Sequence, residues 1–112
     1  MTILSFRLFM LFQAFLLLSS NITLAEEIDL EEGKSIFDNN CAACHAGGQN
    51  ILKAEKTLEK EVLEVNSMYN VGAIANQVKN GKNQMPAFNG RLSDDDINNV
   101  AHYVLHQSNI GW

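Results

Sequence analysis

The sequence predicts an all-α domain, and three observations predict it. Apolar residues recur at helical spacing in the segments that begin near Leu30, Thr57, Asn70 and Ser93. No stretch alternates convincingly with period two, and there is no internal repeat or low-complexity tract. The single C-x-x-C-H motif, Cys41 to His45, has no strand pattern on either side. At 112 residues the chain is one domain at most.

The N-terminus stands apart from that domain. Leu8 to Leu18 is apolar apart from Gln13, too short to span a bilayer comfortably but suited to the h-region of an export signal. Arg7 supplies the positive flank, and Thr23-Leu24-Ala25 closes the polar region with a small residue. Cleavage is expected after Ala25, so that residues 1–25 are a signal peptide and 26–112 the functional domain, with no membrane insertion afterwards. An uncleaved anchor is the alternative, because one basic residue makes a weak n-region. Export directs the chain to a lumen or periplasm. The formal net charge is −5, and the leader carries only Arg7, so the domain is more acidic than the whole. That balance argues against nucleic acid or anionic lipid as partners and for salt-sensitive docking to a basic patch.

Leu30 to Asn40 reads as the first helix, with Gly33, Ile36 and Phe37 on one face. Glycine inside a helix costs about 1 kcal/mol against alanine. A close crossing by another helix would account for it, and a tolerated glycine near a helix start is the plain alternative.

The motif Cys41-Ala42-Ala43-Cys44-His45 follows. Residues i and i+3 on one helical turn project from the same face, so two thiols can meet the two vinyl groups of one porphyrin. His45 then comes under the ring as an iron ligand. Zinc is the weakest competitor, since two Cys and one His are an incomplete set. A redox dithiol expects a βαβ context, and a plain disulfide leaves the adjacent His unexplained. The pattern points to one c-type haem, covalently attached. Both cysteines of the chain are then consumed, leaving none for a bridge.

Ala46 to Asn50 reads as a flexible connector, and Ile51-Leu52 as an apolar patch able to cover a haem edge. Thr57 is expected to cap a helix carrying Leu58, Val62 and Leu63, with Glu59 and Glu61 in its first turn. Asn70 caps the next, with Val71, Ile74, Ala75 and Val78 in register and Gly81 as its stop. Ser93 and Asp96 make a capping-box start for the last helix. Its stripe is Ile97, Val100, Ala101, Val104 and Leu105, with Tyr103 beside it and able to pack at the Gly33–Phe37 crossing.

A six-coordinate haem needs a second donor, and Met85 is best placed. It lies in a polar loop that Gly90 helps to close, and Pro86, the one proline, biases it away from helical geometry. The competing reading is a gap-filling methionine, which is the better one for Met68. His102 and His106 are spaced i, i+4 and could grip a metal, but both point away from the apolar stripe and read as solvated surface. Glu55, Glu59, Glu61 and Glu64 read as a solvated helix face, with a docking patch as the alternative.

With CAACHAGG, NGKNQMPAFNGRL and AHYVLHQS in place, the chain closely resembles cytochrome c6, the photosynthetic class I cytochromes c of algae and cyanobacteria. The resemblance covers essentially all of residues 28–112. It implies a class I cytochrome c fold of about four helices wrapped around one covalently bound haem. It also implies a monomeric carrier in the thylakoid lumen, moving one electron from the cytochrome b6f complex to photosystem I, and no enzyme. By position, Cys41 and Cys44 would bind haem, and His45 and Met85 would be the axial ligands. Gln77 matches a glutamine that tunes the potential, and Arg91 an arginine implicated in contact with photosystem I. Gly33, Phe37, Val100 and Tyr103 match the crossing of first and last helices. Some members place a proline where this chain has Ala54-Glu55, and low-potential relatives carry a further cysteine pair absent here. A single export signal without a Ser/Arg-rich transit segment suggests synthesis in a plastid or a cyanobacterium. The rivals are a respiratory carrier feeding a terminal oxidase, a haem enzyme or gas sensor with an open sixth position, and an apo dithiol oxidoreductase.

Overall fold

Asp29 starts the first helix by accepting a hydrogen bond from the Glu32 amide at 3.0 Å. The computed structural model describes residues 27–112, so the export signal expected at residues 1–25 lies outside the described residues. Helix α1 spans Leu30–Asn40, as its periodicity predicts. The motif forms a single turn, α2, at Ala42–His45, followed by a 3-10 turn at Ala46–Gly48. Helices α3 (Lys60–Val65), α4 (Val71–Asn80) and α5 (Asp94–Ile110) complete the described chain. Two isolated bridges, Lys82 with Met85 and Asn89 with Leu92, are the β-type pairings among the described residues.

Two of the expected caps form. Asn70 accepts from the Ala73 amide at 3.0 Å, and Gly81 ends α4 at φ 71°. At α5 the Asp96 amide donates to Ser93 Oγ at 3.1 Å while the Ser93 amide donates to Asp96 Oδ2 at 3.2 Å. The third does not. The helix expected from Thr57 begins at Lys60, with Glu59 at its cap and no side-chain bond there. Both backbone groups of Leu58 are engaged elsewhere. Its N–H donates to the Gly48 carbonyl at 2.7 Å, and its carbonyl accepts from Trp112 Nε1 at 2.8 Å. A carbonyl so occupied is drawn out of helical geometry, and the helix starts two residues on.

The core joins α1, α4 and α5. Ile36, Phe37, Ile74, Val78, Ile97, Val100, Ala101 and Val104 are buried together with Phe88 from the loop between α4 and α5. The closest helix pair is α1 with α5. At their crossing, a Cβ on Gly33 would run into the Asn99 carbonyl oxygen and approach Tyr103 Cβ to 2.8 Å. Phe37 and Tyr103 pack with ring centroids 5.4 Å apart. The glycine is therefore the crossing point, and the plain alternative falls. No described helix is long and apolar enough to cross a membrane.

Gly33→Ala sets a helix-propensity gain of about 1 kcal/mol against overpacking that costs about 1–3 kcal/mol. The obstacle is a main-chain carbonyl that cannot rotate aside, so the cost wins. We expect Gly33→Ala to lower the unfolding free energy in denaturant titrations, and Gly33→Val to lower it further.

Candidate functional site

The motif turn grows directly out of α1. The Cys41 amide donates to Phe37 O at 2.8 Å, ending α1, and Cys41 O in turn accepts from the amides of Cys44 (3.1 Å) and His45 (2.9 Å). This one residue closes the first helix and opens the motif, placing both thiols on a rigid support. Both thiols are free and half-buried. Burial, and secondarily the neighbouring Cys44, pushes the Cys41 thiol up to about 11. At neutral pH it stays protonated and is a poor nucleophile until something activates it.

His45 Nδ1 lies 2.9 Å from the Gln49 carbonyl oxygen. A carbonyl can only accept, so Nδ1 carries the proton and Nε2 of the neutral ring keeps its lone pair. This is the supporting bond that fixes the tautomer of a metal-binding histidine. The flexible connector expected at Ala46–Asn50 is instead the tight 3-10 turn. Gly47 and Gly48 take φ of 63° and 76°, and the Gln49 amide returns to Ala46 O at 3.2 Å. That fold-back brings the Gln49 carbonyl to the imidazole. Gly48 is buried under Trp112, where a Cβ would strike the indole. The indole also stacks on Phe37, centroids 5.2 Å apart, and lies edge-on to Tyr103 at 6.2 Å. Trp112 thus joins α1, the glycine turn and Leu58.

Met85 reaches the same core cluster from the other side of the chain, half-buried against it as Cys41 is. Its loop is a tight turn and not an open span. Lys82 N donates to Met85 O at 3.1 Å and Met85 N to Lys82 O at 3.0 Å, with Asn83 at φ 55°. Gly81 permits this, because a Cβ there would meet Met85 O at 2.6 Å. Phe88 and Asn89 tie the loop back to α4 through Val78 O and Lys79 O. Gln77 Nε2 donates to Met85 Sδ at 3.4 Å. The Arg91 guanidinium sits 4.8 Å from the centroid of the buried Phe88 ring and remains exposed.

Met68 packs half-buried against the core, as expected. Ile51 and Leu52 are exposed, at 70% and 53%. Glu55, Glu59, Glu61 and Glu64 are exposed. Sequence reading missed Gln49, Phe88 and Trp112 as functional positions. The available signal was Gly47-Gly48, a pair that favours positive φ and hence a chain reversal.

Two thiols on one turn, an imidazole with Nε2 free and a thioether are the donor set of a c-type haem. Leu58, Met68, Val71, Ala75 and Leu92, half-buried around the same core, supply the apolar border that a porphyrin needs. The residues fit the group.

Comparison with known proteins agrees. The family described as cytochrome C oxidase, cbb3-type, subunit III, matches residues 28–104. The cytochrome c6 of Bumilleriopsis filiformis is 63% identical over 84 residues, which is 75% of this chain and 98% of that protein. The cytochrome c6 of Pyropia yezoensis is 53% identical over 105 residues, 94% of each. The chain belongs to the cytochrome c6 family. The crystal structure of cytochrome c6 from the diatom Phaeodactylum tricornutum superposes with a TM-score of 0.72 at 55% identity, covering 75% of this chain and 99% of that one. The expected class I cytochrome c fold is therefore the fold observed. Membership makes the chain a c-type cytochrome and an electron carrier, and implies haem as the cofactor.

Trp112→Ala removes the cover of Gly48 and the bond to Leu58 O together. Full truncation of a buried Trp costs about 3–5 kcal/mol. For this half-buried ring we expect a loss of about 2 kcal/mol in chemical denaturation, and Trp112→Phe, which keeps the ring contact but loses the N–H, to recover part of it.

Proposed function

We propose that this chain is a mobile, monomeric one-electron carrier of photosynthesis in the thylakoid lumen, receiving electrons from the cytochrome b6f complex and delivering them to photosystem I. The signal at residues 1–25 is removed on export. Cys41 and Cys44 hold one haem through thioether bonds, and His45 and Met85 are its axial ligands. The observation that carries the reading is the His45 ring, fixed at Nδ1 by the Gln49 carbonyl with Nε2 left for iron, in a chain so alike the c6 proteins along its length.

When bound, the haem supplies an iron centre that passes between ferrous and ferric states. The chain's own residues set the conditions. Gln49 O fixes the direction of the imidazole and makes it a better donor. Gln77 gives its amide hydrogen to Met85 Sδ and so restrains the thioether. A thioether ligand raises the reduction potential relative to a second histidine, which suits a carrier. Arg91, held on the Phe88 ring, presents a fixed positive charge for contact with photosystem I. The exposed glutamates of the α3 region give an acidic face for a basic docking patch.

The second reading is a carrier that feeds a terminal oxidase in a respiratory membrane. The match to the cbb3-type oxidase subunit III family over residues 28–104 favours it. It keeps the haem and its ligands and changes the partner.

Three measurements test the proposal. Re-reduction of flash-oxidised photosystem I by the reduced protein should be fast, saturable and slowed by salt; a slow rate beside rapid oxidation by a terminal oxidase preparation moves the protein to respiration. Denatured haem-loaded protein should show no reactive thiol, since both cysteines are thioethers; one or two titratable thiols would refute the double attachment. Met85→Ala should change the oxidised spectrum and lower the potential; an unchanged spectrum and potential would remove Met85 as a ligand.

A further inference from the structure

Helix α5 carries two histidines that the haem site does not use, His102 and His106. They are one turn apart, at i and i+4, the spacing that lets two imidazoles on one helix face share a metal ion. Both line one surface groove of about 380 Å³, together with Ile28, Leu30 and Tyr69. One ring nitrogen of His102 is already engaged. Its Nδ1 lies 2.9 Å from the Asn98 carbonyl oxygen, which can only accept. The proton therefore sits on Nδ1, and Nε2 of the neutral ring keeps its lone pair. This is the same support that Gln49 O gives to His45. His106 is exposed and free to rotate to meet it.

From these observations we propose that His102 and His106 form a surface site for a divalent transition-metal ion of the class that prefers imidazole nitrogen, zinc(II), copper(II) or nickel(II). The donors are two neutral nitrogens, so magnesium and calcium, which take oxygen ligands, are excluded. With zinc, the protein fills two positions of a tetrahedral shell and water fills the rest. The acidic balance of the whole chain, net −5, favours a cation's approach. Lys60, whose Nζ lies 3.5 Å from Asn109 Oδ1, is not among the residues that line the groove.

The test is a zinc(II) titration by calorimetry of the untagged, haem-loaded protein. One ion per chain should bind saturably. His102→Asn and His106→Asn should each weaken it by at least about tenfold, the loss that removing even a supporting bond causes at metal sites. His102 is part-buried and His106 exposed, and neither packs in the core cluster, so the variants should keep the wild-type visible spectrum. In the ferrous protein, zinc should move the ring signals of His102 and His106 and leave those of His45 in place. Absence of saturable binding, or equal affinity in the His102→Asn/His106→Asn double variant, would overturn the proposal. So would a zinc-dependent shift confined to other residues.

Discussion

The crossing of α1 and α5 at Gly33 is the contact on which the rest of the structure depends. With no side chain at this position, the backbone of α1 lies against the Asn99 carbonyl and Tyr103. That approach seats Ile36 and Phe37 on Val100, Ala101 and Val104, where Val100 is 1% exposed. The motif turn begins at the residue that ends α1, so the position of both thiols is inherited from the crossing. The C-terminal indole reaches Phe37 at the same junction.

Two turns then build the candidate site on the helical scaffold. In each, glycine at positive φ lets the backbone double back where a Cβ would collide, Gly48 beneath Trp112 and Gly81 beside Met85 O. The first turn aims the Gln49 carbonyl at His45, and the second presents Met85 to the Gln77 amide. In both, the candidate donor side chain is oriented by a neighbour's hydrogen bond as well as by its own rotamer, so a small shift in either turn would misdirect it. The same chemistry recurs on the α5 surface, where Asn98 O orients His102.

Much of this was legible in the residue order because the signals are local. Helical spacing and caps gave α1, α4 and α5 with their buried faces, since a helix is decided within a few turns of chain. The C-x-x-C-H turn and the proline beside Met85 singled out the candidate donors, because metal and thiol chemistry admits few residue types. What the sequence could not decide depends on residues distant in the chain. Leu58 has a plausible cap before it, but bonds to Gly48 and to Trp112, 54 residues away, hold its backbone outside α3. The Gln49 carbonyl carries no side-chain signature, since any residue has one. Only the folded turn could select it as the partner of His45. Residue order alone carried the fold class, most of the helices and the candidate donor types; packing selected the main-chain groups that aim those side chains, because a backbone acceptor is anonymous until it comes within 3 Å of a donor.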